Sequence, residues 1–256
     1  MFHVKQDSEP GPAASAVFGE RLPLALRYAE LLRDTAISHG LIGPREAARL
    51  WERHLLNCAV LSELVEPNVR VLDLGSGAGL PGIPLALARP DLEIVLLEPM
   101  ARRVTWLRRT VAELGLETIV VRGRAEDPEV RREWCGAHVV TARAVAPLHR
   151  LAGWALPLLR PGGRMLAIKG QSATAEVDRD AALVRRLGGT APRVVQCGAE
   201  HVDPPTVVVV VERAAEPRRR FPAGKGADGG HRAIGTKLAR CDTAGPESGD
   251  TRGRRG

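Results

Sequence analysis

The chain has 256 residues, 44% of them hydrophobic and 3% aromatic, which is enough for one α/β core with an appendage and excludes a small stapled scaffold. Its formal net charge is +7, but residues 212–256 carry 11 Lys and Arg against 6 Asp and Glu, so residues 1–211 are nearly balanced at 26 against 24. Cys58, Cys135, Cys197 and Cys241 show no zinc-ligand spacing, no stretch of about 20 apolar residues could span a bilayer, and MFHVKQDSEPGPAAS lacks an export segment; a cytoplasmic protein without metal or membrane contact is expected.

Residues 1–15 are expected to be a flexible N-terminus, and residues 16–66 a helical cap. In AVFGERLPLALRYAELLRDTAI, Val17, Leu22, Leu26, Ala29 and Ile37 recur near helical spacing. A second helix is expected to start at Gly43–Pro44, with Ala47, Leu50, Trp51, Leu55, Cys58, Leu61 and Val65 on one side. From residue 67 to 213 the pattern changes to short apolar runs separated by helical stretches, which predicts a doubly wound, mostly parallel seven-stranded sheet. The strand candidates are VRVLDL, LEIVLL, TIVVR, HVVTA, RMLAI, RVVQC and TVVVVV; the helix candidates are PGIPLALA, ARRVTWLRRTVAEL, APLHRLAGWALPLLR and TAEVDRDAALVRRL. Only a polar, proline-containing link joins RVVQC to TVVVVV, so these two are expected to pair antiparallel at the end of the sheet. Residues 214–256, rich in glycine and poor in large aliphatics, are expected to form a disordered basic tail.

VLDLGSGAGLPGIP, after the first strand, reads in two registers. Gly77, Gly79 and Gly82 give G-x-G-x-x-G, the dinucleotide fingerprint; Gly75, Gly77 and Gly79 give an acid followed by G-x-G-x-G. Glu98, at the end of the second strand, could take ribose hydroxyls in either case. A dinucleotide places its pyrophosphate on first-turn amides, whereas Pro81 and Pro84 have none. S-adenosylmethionine carries no phosphate there, and its charged amino-acid end could meet Asp73 and the loop backbone. It is therefore the expected cofactor.

WERHLLN, VLDLGSGAGLPGIPLA, LLEPMARRVTWL, RAED, TARAVAPL and AIKG together resemble the RsmG (GidB) family of bacterial 16S rRNA methyltransferases, over roughly residues 21–213. The resemblance implies a class I, Rossmann-like S-adenosylmethionine-dependent fold. It also implies methylation of a guanine N7 in the decoding-region loop of 16S rRNA, as free rRNA or in the small ribosomal subunit. Carried over, the family's cofactor contacts fall on Gly75, Leu80, Ala125, Glu126 and Arg143, beside Asp73, Gly77 and Glu98 from the loop reading. Members commonly carry Asp where this chain has Asn57, which leaves a role for His54 open.

Guanine N7 presents an unprotonated lone pair, so no catalytic base is assigned and positioning is the requirement. Asp203-Pro204-Pro205-Thr206 is read as a turn rather than an amine clamp, because it lies in the final hairpin. With few aromatics, RNA grip should come from phosphate contacts. Arg124 and Lys169, with His54, are the candidates, while Arg102, Arg103, Arg108 and Arg109 read as a solvated helix face. A monomer is expected. The competing readings are an NAD-dependent oxidoreductase built on GAGLPG and a non-catalytic ribosome-assembly RNA binder.

Overall fold

The computed structural model describes residues 10–36, 49–143 and 145–215. These belong to one compact unit, residues 1–217. The basic tail from 216 onward, the expected helix start at Gly43–Pro44 and the flexible N-terminus up to residue 9 lie outside the described residues.

The apolar runs become β1 (Arg70–Leu74), β2 (Glu93–Glu98), β3 (Ile119–Arg122), β4 (Ala137–Arg143), β5 (Leu159–Lys169), β6 (Arg193–Cys197) and β7 (Thr206–Glu212). They form one sheet in the order β3-β2-β1-β4-β5-β7-β6. The first five run parallel, and β7 pairs antiparallel with both β5 and β6. β7 thus lies between its hairpin partner and the parallel sheet, leaving β6 at the edge. The composition explains this: Val207–Val211 is a continuous apolar run that can be covered on both sides, whereas Arg193 and Gln196 suit a strand half open to water.

Alternate residues face two apolar layers, as the twofold period of a strand requires. Val71, Ile94, Leu96, Val139, Leu166, Val208 and Val210 meet the N-terminal helices and residues of α4 (Gly82–Ala88) and α5 (Ala101–Glu113). Leu72, Leu74, Val95, Leu97, Val140, Met165, Val209 and Val211 meet α6 (Pro128–Trp134), α7 (Leu148–Ala155) and α8 (Ala173–Arg186). The short α6 escapes the sequence pattern, having one fully buried residue, Val130. Its marker is Asp127–Pro128, a proline at the first helical position.

Three boundaries differ from the sequence expectation, the first being that residues 12–15, expected to be flexible, already belong to a helix in which Ala14 is buried. The first N-terminal helix is two, α1 (Pro12–Phe18) and α2 (Leu22–Leu31), because Gly19 at φ +50° ends α1. The second helical stretch continues through Trp51 to Leu64, its start lying outside the described residues, and Trp51 packs edge-on against Phe18 with ring centroids 6.3 Å apart. Further on, Leu156–Leu158 form only a tight turn after α7 and β5 begins at Leu159, two residues before Pro161-Gly162-Gly163. The pairing with β4 shifts register between Ala137 and Val139, so the expected helix stop lies inside an irregular strand.

Among the described residues no helix is long and apolar enough to cross a membrane. The irregularity in β5 depends on Gly163, where an added Cβ would stand 2.9 Å from the carbonyl oxygen of Arg160 and 3.0 Å from those of Ala137 and His138. Backbone oxygens cannot move aside cheaply, so Gly163→Ala is expected to lower stability by about 2 kcal/mol. A urea titration checks this; an unchanged midpoint would mean that the strand can shift at no cost.

Candidate functional site

Sheet order reverses between β1 and β4, the position where an open α/β sheet leaves a crevice at its carboxyl end. Leu74 of β1 is paired with Ala142 of β4, so Gly75 and Arg143 leave the sheet side by side. The loop from Gly75 to Pro81 then curls on itself. The Gly75 and Ser76 amides donate to the Leu97 carbonyl, at 2.8 and 3.3 Å, and those of Gly79 and Leu80 to the Ser76 carbonyl, at 2.6 and 3.0 Å. Gly79 sits at φ +95°, and a Cβ there would lie 2.4 Å from Ile83 Cδ1, so only glycine fits this curl.

The first turn of α4 decides which ligand chemistry the loop can serve. The Gly82 amide donates to Asp73 Oδ2 at 3.1 Å and the Ile83 amide to the Gly79 carbonyl at 2.7 Å, while Pro84 has no amide proton. No amide of that turn remains for a pyrophosphate. The site offers carboxylates instead. Asp73 is fully buried, and its Oδ1 has no hydrogen-bond partner within the protein. Burial pushes its carboxyl up to about 7, against the Ser76 hydroxyl and the Gly82 amide and with the charge of Glu98 adding to the shift. An unpartnered buried acceptor of this kind fits the cationic end of a ligand.

Glu98 is 1% exposed and bridges two backbone amides, Gly77 to Oε2 and Met100 to Oε1, each at 2.9 Å. A carboxylate has lone pairs beyond these two bonds, so it can still accept from a diol. Arg103, expected on a solvated face, turns inward instead: its Nη1 is 3.8 Å from Glu98 Oε2. The remaining arginines of that group, Arg102, Arg108 and Arg109, are exposed as expected.

Arg143 is held from the N-terminal helices. Its Nη1 donates to Cys58 Sγ at 3.3 Å and its Nη2 to His54 Nδ1 at 2.7 Å, which fixes that ring nitrogen as an acceptor. Three of its five donor protons are left for other partners. The Cys58 thiol is buried, and burial raises its pKa while Arg143 opposes the shift. Tyr28 of α2 is also buried and donates to the Ala78 carbonyl at 2.8 Å. The cap therefore braces both sides of the crevice. Asn57, in the same stretch, accepts from the Thr206 hydroxyl, and Asp203–Pro205 lies in the link before β7, as the turn reading expects.

The other expected contacts are dispersed around this centre. Leu80 is half-buried against the apolar layer beside α4. Ala125 is buried and its carbonyl accepts from Arg131 Nε at 3.0 Å, while Glu126 and Arg124 are exposed. The Arg124 amide is capped by Asp127 at 2.8 Å. Lys169 has a different occupation from the one expected: Nζ donates to the Ala146 carbonyl at 2.9 Å and to Glu176 at 2.8 Å, with the side chain 11% exposed. It pins the segment that carries Val145 against Gly75, where Val145 Cγ2 lies 3.1 Å from the position of a Gly75 Cβ. Ala144 lies outside the described residues. Sequence reading missed Tyr28, Cys58, Arg103 and Val145. The one available signal was the position of Arg103 one turn after Glu98-Pro99.

Comparison with known proteins identifies the family to which the chain is similar. The GidB family model, described as rRNA small subunit methyltransferase G, matches residues 21–203. A protein of Mycolicibacterium gilvum named ribosomal RNA small subunit methyltransferase G is 54% identical over 216 residues, covering 84% of this chain and 95% of that one. A protein of the same name from Rhodococcus jostii is 54% identical over 226 residues, covering 86% and 100%. Among solved structures, a methyltransferase from Pyrococcus furiosus superposes with a TM-score of 0.50 at 13% identity, over 77% of this chain and all of that one.

The state of Asp73 has a measurable consequence. Its folded carboxyl titrates near 7 against an ordinary value of 3.8, so the folded state binds the extra proton between these values and loses stability as pH rises through them. Asp73→Asn removes that titration. Urea unfolding at pH 5 and pH 8 is expected to favour the variant over the parent more at pH 8, by at most about 1.4 kcal/mol per pH unit crossed. Parallel pH dependence of the two proteins would mean that Asp73 is ionised throughout.

Proposed function

The chain belongs to the GidB family, rRNA small subunit methyltransferase G, and from that premise we propose that it transfers a methyl group from S-adenosylmethionine to the N7 of a guanine in the decoding-region loop of 16S rRNA. The observation that carries the reading is the loop after β1. It has no first-turn amide for a dinucleotide phosphate, yet a buried Asp73 oxygen stands without a partner. The nicotinamide-dependent alternative requires the reverse arrangement.

In this reading Asp73 receives the ammonium group of the cofactor and Glu98 its ribose hydroxyls. The loop backbone at Gly75 and Gly77 lies along it, Leu80 and Ala125 supply apolar cover for the adenine, and Glu126 borders it. Bound there, the cofactor supplies a methyl group on a positively charged sulfur. Arg143, aimed by His54 and Cys58, holds an anionic group, either the cofactor's carboxylate or a phosphate of the RNA. It cannot act as a base, and none is needed, since N7 carries no proton. The work of the protein is to align N7 with the methyl carbon and to exclude water, and effective concentrations from such alignment can contribute roughly 7–11 kcal/mol.

Arg124, exposed beside the crevice, is the leading phosphate contact. Lys169 and His54 serve the RNA indirectly in this reading, Lys169 by pinning the loop after β4 and His54 by aiming Arg143. The substrate is the small-subunit RNA, whether free or assembled.

The test combines the full-length protein, labelled S-adenosylmethionine and undermethylated small subunits, followed by cleavage at 7-methylguanine to map the product. Label at a single guanine in the decoding region is expected. Incorporation elsewhere would correct the site, and tight RNA binding without incorporation would point to an assembly factor. Gly75→Val places a branched side chain at φ +67° against Val145, and S-adenosylhomocysteine affinity is expected to fall at least tenfold by calorimetry. Stabilisation by NAD with no response to S-adenosylhomocysteine would reverse the cofactor assignment.

A further inference from the structure

Away from the crevice, α7, the C-terminal half of α8 and residues 126–131 enclose an open groove of about 460 Å³. Its floor is apolar: Trp154 is half-buried, and Leu183 and Leu187 remain 43% and 47% exposed. Its rim is cationic. The Arg150 guanidinium lies 5.5 Å from the centroid of the Trp154 ring, Arg186 stands exposed on α8, and Arg131 closes the opposite side. Neither Arg150 nor Arg186 has a carboxylate partner among the described residues. The one carboxylate in the lining is Glu126; the nearby Asp180 is buried and already bonded by His149 and Arg179. Three guanidiniums therefore face one free carboxylate.

We propose that this groove is a second contact for the RNA substrate: an unpaired base stacks against Trp154 and the two leucines, and its phosphates lie on Arg150 and Arg186. The inference rests on the reading of the protein as an rRNA methyltransferase and names where that RNA extends. Indole and guanidinium faces both stack on any base, and the guanidinium edges remain free for phosphate oxygens. Charge excludes two other occupants. A second copy docked through the same groove would set guanidiniums against guanidiniums, and residues 212–256 of this chain are themselves net positive. The groove also borders the segment that the proposed function assigns to the cofactor: Glu126 is part of its lining, and Arg131, on the same rim, donates to the Ala125 carbonyl. An RNA strand leaving the crevice past Glu126 would meet the groove next.

The experiment compares full-length parent, Trp154→Ala and the exposed double variant Arg150→Glu/Arg186→Glu, which guards against a folding defect in the tryptophan variant. Binding to small-subunit rRNA is followed by fluorescence anisotropy across a salt series, alongside methyl transfer and S-adenosylhomocysteine affinity. Both variants are expected to bind RNA about tenfold more weakly, with unchanged S-adenosylhomocysteine affinity and kcat but raised KM for RNA. The double variant should also lose about two from the slope of log affinity against log salt. Unchanged RNA affinity and salt slope in a folded double variant would overturn the proposal. So would a change confined to self-association or to binding of a ribosomal protein. A parent that binds RNA but transfers no methyl would overturn the enzymatic reading alone, and the binding comparison would still judge the groove.

Discussion

The candidate site depends on one bond, from the Gly82 amide to the buried carboxylate of Asp73. It draws the start of α4 against the end of β1 so closely that a Cβ on Gly82 would lie 2.2 Å from Leu96 Cδ2. With both ends of the intervening loop fixed, residues 75–81 must curl, and five of its amides are taken up, those of Gly79 and Leu80 by the loop itself and those of Gly75, Ser76 and Gly77 by Leu97 and Glu98. A looser glycine turn presents amides outward as an anion nest. This one turns them inward and leaves an oxygen of the buried Asp73 carboxylate without a partner. The preference for a phosphate-free, cation-bearing ligand that we propose for this loop therefore traces to packing density at a single glycine.

The second constraint comes from outside the sheet. Tyr28 reaches the loop at Ala78, and His54 and Cys58 reach Arg143, so the N-terminal helices hold the crevice from both strands that flank it. Hydrogen bonds to a charged group contribute roughly 1.5–3 kcal/mol, and removing one partner leaves the other buried and unsatisfied. The cap is thus part of the site, although nothing in it is placed to react. A guanidinium fixed at two of its donor protons has lost most of its rotational freedom before any ligand arrives, which is the condition for binding an anion without further ordering cost.

The strands were legible because a buried parallel sheet demands continuous apolar runs, and those runs stand out between glycine and proline turns. Asp73, the glycines and Glu98 were legible for a related reason: their partners lie within about two dozen residues of chain, inside one strand-loop-helix unit and the next strand. What the sequence hid depends on distance or on exceptions to pattern. Tyr28 meets its partner 50 residues away and Cys58 meets Arg143 85 residues away, and no periodicity encodes such pairs. The insertion of β7 beside β5 needed the relative polarity of β6 and β7 to be weighed, and β5 begins early because its glycines lie in an irregular strand, not after a helix. Short α6 buries too little to show a pattern.

Lys169 and Arg124 show why position near a crevice does not by itself identify a phosphate contact. Lys169 ends β5 and Arg124 follows β3, at the same end of the sheet. Glu176 and the Ala146 carbonyl enclose the Lys169 ammonium, and removing it to meet a phosphate would leave the half-buried Glu176 carboxylate with only the Leu148 amide and without its cation. Arg124 lies exposed, and the Asp127 carboxylate takes its backbone amide, not its guanidinium. A fold whose charges nearly balance can still bind a polyanion if its carboxylates are matched internally and its guanidiniums are left at the rim. That pattern appears at α7 and α8, where Asp180 is buried between His149 and Arg179 while Arg150 and Arg186 face water. Affinity for RNA then follows from which cations remain unpaired after folding, a quantity that net charge does not report.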